Sequence, residues 1–327
     1  MNRLILAFDD SGAGALKGAR LADRVLPFGL RFVWGELKPE NELDLFLSPR
    51  SAGPCVSHWL DHFTGDWFKK PGNRDLGLVE FCERFETVEF WPDPEPNAQL
   101  QMIWLLDHLR PRAKSLGFTL RHVDVRLGET EPARLAKQNF PAVAINDRHF
   151  EIASLAWQAF RAPTPQAWGD LLAKDLSILP QLRRCVLEML EELPGRATGL
   201  GASEMRILEL ISAGYQHPFD VFPHYRERFQ RRVFGYWEAG ALLERLALAP
   251  MPAVSGLAEW PFTLAMHDDD ARLARYKESR LSLTEFGKAI LAHEEDFSRH
   301  NPIDRWWGGT HLTNDNLWRW NPALIKP

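Results

Sequence analysis

The sequence predicts an α/β protein. A doubly wound, mainly parallel (Rossmann-like) sheet forms the front, and a helical stretch and a winged-helix-like part follow it. Three observations carry this. A continuous apolar run, Leu4 to Phe8, meets a glycine-containing turn and then an alanine- and leucine-rich stretch. Further apolar runs recur, each separated from the next by a helical pattern, which implies parallel pairing with helices on the faces. After the glycine-rich joint Gly195 to Gly201 the order becomes three helices, a hairpin and a closing helix.

The elements follow in chain order. Leu4 to Phe8 reads as a strand buried on both faces. Ala15 to Leu26 continues as a helix, and Leu30 to Trp34 as a second strand. Ser57 to Phe68 and Leu76 to Phe85 have helical patterns. Thr87 to Trp91 is a third strand, stopped by Pro92, Pro94 and Pro96. Asn97 is expected as N-cap of a helix Ala98 to Leu109, with Leu100, Ile103, Trp104 and Leu106 on one face. Phe118 to Val125 alternates as a fourth strand.

From Glu131 to Leu193 the pattern is mostly helical, in segments Phe150 to Phe160, Gln166 to Ala173 and Leu179 to Leu193. In the rear, Ser203 is expected to cap a helix that Gly214 ends. Pro218 to Arg232 and Phe234 to Ala247 follow as helices. Phe262 to Met266 and Arg280 to Leu283 are then strands of a wing that turns at Asp268–Asp270, and Thr284 caps a helix Glu285 to Phe297. Trp306 to Trp320 reads as a hairpin turning at Asn314–Asn316. The divisions are an α/β domain 1–130, a helical connector 131–196, a winged-helix-like domain 197–297 and a C-terminal strap 298–327.

Length supports more than one domain: 327 residues exceed a usual single core. Hydrophobic residues at 45% and charged residues at 25% place the chain among ordinary globular proteins. A net charge of −5 argues against a general nucleic-acid binder. Cys55, Cys82 and Cys185 are too scattered for a disulfide scaffold or a Cys-x-x-Cys metal site. The first apolar run is too short for a signal peptide, and no run is long enough to span a bilayer. The expected location is cytoplasmic, with no membrane association.

Several segments resemble a known family. Phe8 to Lys17 is similar to the opening of the bacterial domain-of-unknown-function family 1835, and Phe90-Trp91 with Asn97 to Gln101 is similar to its second block. Leu283 to Leu291 and Ile303 to Leu312 resemble the helical partner domain that usually follows it. Asp9 stands where the family has glycine, and Gly12 where it often has alanine. The resemblance implies the architecture and supplies no activity.

The leading candidate site is the turn after the first strand: Asp9, Asp10, Ser11, Gly12, Gly14 and Lys17. Ligands of open parallel sheets bind beyond the carboxyl ends of the strands. Glycines allow close approach there, and helix-start amides favour an anion. A nucleotide or phosphorylated small molecule is the expected ligand. The two aspartates would repel a phosphate unless a metal intervened, and either is a possible general base or metal ligand. The alternative is a tight strand-to-helix turn capped by Ser11. Glu36, Trp91, Asp93, Asn97 and Gln101 end or begin neighbouring elements and are expected at the same crevice, with Trp91 either stacking on a ligand or packed in the core.

His58 and His62 stand four apart, with Asp66 one turn on. That spacing suits a metal but equally an exposed polar helix face, and no metal is assigned. Arg226, Arg228, Arg231 and Arg232 invite a DNA reading of the winged helix. Residues 197–297, however, hold eleven basic and fifteen acidic side chains. Backbone neutralisation is therefore weak, and a protein-contact role is the alternative. The sequence names no catalytic residue and no cofactor; a small anionic ligand and a protein partner are the expected partners, in preference to nucleic acid.

Overall fold

The computed structural model describes residues 2–54, 57–62, 71–112, 117–222 and 233–327. The chain divides into two compact units. The first comprises Met1–Phe32, Leu37–Arg161 and Ala173–Cys185; the second comprises Val33–Glu36, Ala162–Leu172 and Val186–Pro327.

In the first unit, β1 (Arg3–Ala7) leads into α1 (Asp10–Gly18) and β2 (Arg24–Pro27). After α2 (Glu40–Leu47) and α3 (Leu78–Cys82) come β3 (Thr87–Trp91), α4 (Pro96–Leu109), β4 (Phe118–Arg121), α5 (Pro132–Leu135), β5 (Ala142–Ala144) and α6 (Asp147–Arg161). The strands form one sheet in the order β2-β1-β3-β4-β5, parallel except for the last pair. The α/β class and the mainly parallel sheet expected from the sequence are therefore present.

Alternation along β1 sorts the core. Ile5 and Ala7 face a cluster with Ala13 and Leu16 of α1, Leu135 of α5, Trp91 and Phe140. Phe8 stands against Phe28 and Phe90, and Phe28 in turn against Trp104 of α4. Helices thus cover both faces, as a sheet of near-continuous apolar strands requires.

The second strand lies earlier than expected. Helix α1 stops at Gly18, and Arg20 adopts a left-handed φ of 55°. Val25 and Leu26 then pair with Ile5 and Leu6. The alanine- and leucine-rich composition carried the expected helix past its real end. Leu30 to Trp34 is not a strand; Asn97 acts there as a side-chain substitute for a strand neighbour. Its Oδ1 accepts from the Phe32 amide at 2.8 Å, and its Nδ2 donates to the Leu30 carbonyl at 2.8 Å. Asn97 is accordingly not the N-cap of α4. Glu95 holds that position, and Pro96 opens the helix, where its missing N–H costs nothing.

The second unit contains α7 (Gln166–Asp170), and α8 (Leu182–Leu190) crosses the division between the units. It continues with α9 (Ala202–Ser212), α10 (Tyr236–Leu248), β6 (Val254–Ser255), α11 (Leu264–His267), α12 (Asp270–Glu278), β7 (Ser282–Leu283), α13 (Glu285–Leu291) and α14 (Phe297–His300). Two hairpins end it: β8 (Asp304–Trp307) with β9 (Thr310–Thr313), and β10 (Arg319–Trp320) with β11 (Leu324–Ile325).

Four expectations need correction here. Gly201, not Ser203, is the N-cap of α9; its amide is taken by Glu204 at 2.9 Å, and Ser203 bonds Glu192 instead. The expected strand Phe262 to Met266 is absent, and β7 pairs with β6. Phe262 is apolar because it packs among Phe222, Tyr236 and Tyr276, not because it alternates in a strand. The acidic run is a helix start: Asp269 accepts from the amides of Ala271 and Arg272, where negative charge is favoured. Finally, the first terminal hairpin turns at Gly308, with a left-handed φ of 53°, while Asn314 ties it to Ile303 and Ser298. Thr284 does cap α13, accepting from the Gly287 amide at 3.0 Å.

No helix among the described residues is long and apolar enough to cross a membrane. Cys82 and Cys185 are buried and form no disulfide among the described residues, and Cys55 lies outside the described residues.

Candidate functional site

The strand order reverses between β1 and β3, so their carboxyl ends mark the place where ligands of such sheets bind. Asp9 follows β1 in an extended conformation and caps α1. Its Oδ1 accepts from the Gly12 amide at 2.6 Å, and its carbonyl accepts from Ala13 at 3.1 Å. The protein's own carboxylate therefore stands where an anionic ligand would. Ser11 is not the cap.

The turn Leu127–Glu129 lies over this helix start. A Cβ added to Gly128 would come 2.7 Å from the Ser11 Cβ and 3.3 Å from the Gly12 amide nitrogen. Gly12 is needed for a like reason: its own Cβ would meet Asp9 Oδ2 at 2.6 Å and Leu127 Cβ at 3.0 Å. Asp10, Ser11 and Gly14 remain exposed on the first turn. Lys17 is exposed in the last turn of α1, roughly 10 Å along the axis from the amides it was expected to assist.

Across the strand gap, Asp93 is only 4% exposed. Burial pushes its carboxyl up to about 8, with the charges of Glu95 and Asp9 adding to the rise and the amides of Glu95 and Leu127 opposing it. Burial also raises Asp9, against the pull of the Gly12 amide. The two acids form a confined pair that holds a proton at neutral pH.

The remaining candidates are structural in their contacts. Trp91 is buried, donates its indole N–H to Glu89 at 2.8 Å and meets Phe140 edge-on at 5.6 Å. It is packed in the core, the second of the two roles expected for it. Gln101 donates to the Phe8 carbonyl at 2.7 Å, and its Oε1 is buried without a partner among the described residues. Glu36 is exposed and groups with the second unit.

Sequence reasoning missed a cavity of about 250 Å³ on the carboxyl side of β3 and β4. Pro92, Gln99, Met102, Leu120, His122 and Pro141 are among its walls. His122 leaves β4 with its amide bonded to the Pro141 carbonyl at 2.9 Å. Its Nε2 is buried without a partner among the described residues, and burial lowers the imidazole's pKa. His149, 1% exposed, is within electrostatic reach of it, and the Nε2 of that ring is likewise buried and unpartnered among the described residues. The signal was present in the sequence: His122 falls within the expected fourth strand, near the end that faces ligands.

The histidine motif is described only in part. Residues Trp59–His62 make a 3₁₀ turn, not the expected α-helix, and four-residue spacing does not align side chains there. The His58 ring lies 2.7 Å from the Ser48 carbonyl, and burial lowers its pKa. Asp66 and residues 63–68 of the expected helix lie outside the described residues. Among the described residues no group of three or more His, Cys, Asp or Glu is arranged to hold a metal.

Neither family models nor curated proteins give a match to this chain.

Proposed function

We propose that the α/β unit binds a small, predominantly uncharged metabolite at the carboxyl edge of its sheet, in the cavity beside His122. The observation that carries this is a buried imidazole nitrogen, unpartnered among the described residues, on a residue that walls a cavity. A buried polar atom without a partner costs about 1–3 kcal/mol, which a ligand hydroxyl or amide would recover. Burial lowers the pKa of His122 and so favours the neutral imidazole, which can hydrogen-bond a hydroxyl or amide. The first strand–helix turn suits an anion less well, because Asp9 already bonds its amides.

Screening sugars, polyols, amides and nucleosides by thermal shift tests this, followed by imidazole ¹⁵N NMR. A stabilising compound that moves the His122 Nε2 resonance supports the reading. No stabilisation from any class, or stabilisation unaffected by His122→Ala, refutes it.

A second reading has its own support. The Leu281 amide bonds the Gln216 carbonyl at 2.7 Å beside the β6–β7 pair, which is consistent with a winged-helix-like layout. Helix α10, the expected reader, is largely buried, with Trp237 and Leu248 its exposed side chains. That favours a protein-contact role over DNA reading. Arg226, Arg228, Arg231 and Arg232 lie outside the described residues. The likeness to family 1835 belongs to this proposal too, since its quoted segments fall on the β1–α1 turn, the start of α4, α13 and the β8–β9 hairpin.

A further inference from the structure

The second unit contains its own cavity, of about 240 Å³, in which four aromatic side chains meet: Trp34, Phe234, Trp306 and Trp307. Each is fixed by something other than a ligand. Trp34 stands edge-on to Phe234, with centroids 5.5 Å apart and planes at 88°. Trp307 donates its indole N–H to the Met189 carbonyl at 2.7 Å and meets Trp168 edge-on. Trp306 stacks on His311 at 4.6 Å, and His311 is held by Asp304 at 2.7 Å. One face of Trp306 is thus propped from behind.

The charges around the cavity are close to balanced. Glu192, Asp304 and Arg305 are in its wall. Glu204 is buried next to Arg305 and Arg245, at 3.2 and 3.4 Å. Burial pushes the Glu192 carboxyl up to about 7, so it is only partly ionised at neutral pH, and the carboxylates of Asp304 and Glu204 stand against two guanidinium groups. Arg305 is further engaged by the Glu192 carbonyl at 3.1 Å, so both of its terminal nitrogens are bonded within the protein. Aromatic faces carry negative potential, and the perpendicular Trp34–Phe234 pair presents rings in two directions, which suits a compact cation better than a flat ring. Trp34, at 38% exposure, leaves the cavity open on one side.

We propose that this cavity binds a small organic cation, a quaternary or protonated amine, held by the faces of Trp34, Phe234, Trp306 and Trp307. The volume falls below the roughly 300–1,000 Å³ of pockets for drug-sized molecules, so the cation is a compact head group. The site is independent of the His122 cavity, and either can fail alone.

Equilibrium binding to the full chain is measured with tetramethylammonium, choline and methylammonium. Each is compared with 3,3-dimethyl-1-butanol, in which carbon replaces the ammonium nitrogen of choline. At least one cation should bind about tenfold more tightly than the neutral isostere. Trp34→Leu, at a position 38% exposed, should weaken that cation about tenfold and the isostere less. Trp306→Phe, which keeps an aromatic face, should retain most of the affinity. Equal binding of cation and isostere, no binding of any cation, or an unchanged cation affinity in Trp34→Leu would overturn the proposal.

Discussion

Two carboxyl groups four residues apart, in the body of β3 and just past its carboxyl end, have opposite fates. Glu89 takes a two-pronged contact from Arg121, at 2.9 Å to each oxygen, with Arg3 and the Trp91 indole adding to it. Despite burial, these partners hold its carboxyl down to about 2. Asp93 is similarly buried but has acids for neighbours and is pushed up to about 8. Inside a sheet, flanking strands supply counter-charges: Arg3 comes from β1 and Arg121 from β4. Past the last rung no strand neighbour remains to do so. The waist of the sheet is electrostatically closed, and its carboxyl edge keeps an unresolved charge of the kind that marks a working edge.

The pH dependences of the two should therefore run in opposite directions. The folded pKa of Glu89 lies below its unfolded value, so its contribution is present above about pH 4.3 and is lost as pH falls through about 2. The folded pKa of Asp93 lies above its unfolded value, so its contribution is complete below about pH 3.9 and disappears as pH rises through about 8.

The largest expected effect is Glu89→Gln, which leaves two guanidinium groups facing a neutral amide. It should cost about 3–5 kcal/mol in urea unfolding at neutral pH. A loss below about 1 kcal/mol would dissolve the contrast, since the waist would then not depend on pairing. Asn97→Ala, which strands the Phe32 amide and the Leu30 carbonyl, should cost about 2 kcal/mol. Faster hydrogen exchange at Phe32 would mark it. Asp93→Asn should act in the opposite sense, raising stability by roughly 1–2 kcal/mol at about pH 8.5 and flattening the fall in Tm above neutrality. An unaltered alkaline slope would place that proton elsewhere. Thr284→Ala, in the second unit, should cost about 1 kcal/mol at every pH. It calibrates the others against a plain lost cap.

The fold was readable where one residue type settles the matter locally. Thr87 to Trp91 and the Thr284 cap stand where the sequence puts them, and the strand expected at Leu4 to Phe8 runs one residue earlier, Arg3–Ala7. Errors arose where an apolar residue served a tertiary purpose. Phe262, Phe32 and Val33 look strand-like because they are buried, yet ring packing holds Phe262 and the Asn97 amide holds the Leu30–Phe32 backbone. The candidate site was half legible. The position of Asp9 and Asp93 at the strand ends follows from the pattern. The cover that Leu127–Glu129 places over α1 comes from more than a hundred residues downstream, and no local pattern announces it. His122 is legible by position, but a lone histidine near a strand end carries no motif.

Asp9 makes the first helix self-sufficient. Phosphate and sulfate ions in the surrounding solution are bystanders to the native chain, because the seat they favour is filled by a tethered occupant. Asp9→Gly would vacate that seat while keeping the backbone route, and dissolved oxyanions would then become stabilisers of a unit that had been indifferent to them. Sensitivity to oxyanions in this architecture is thus one side chain away.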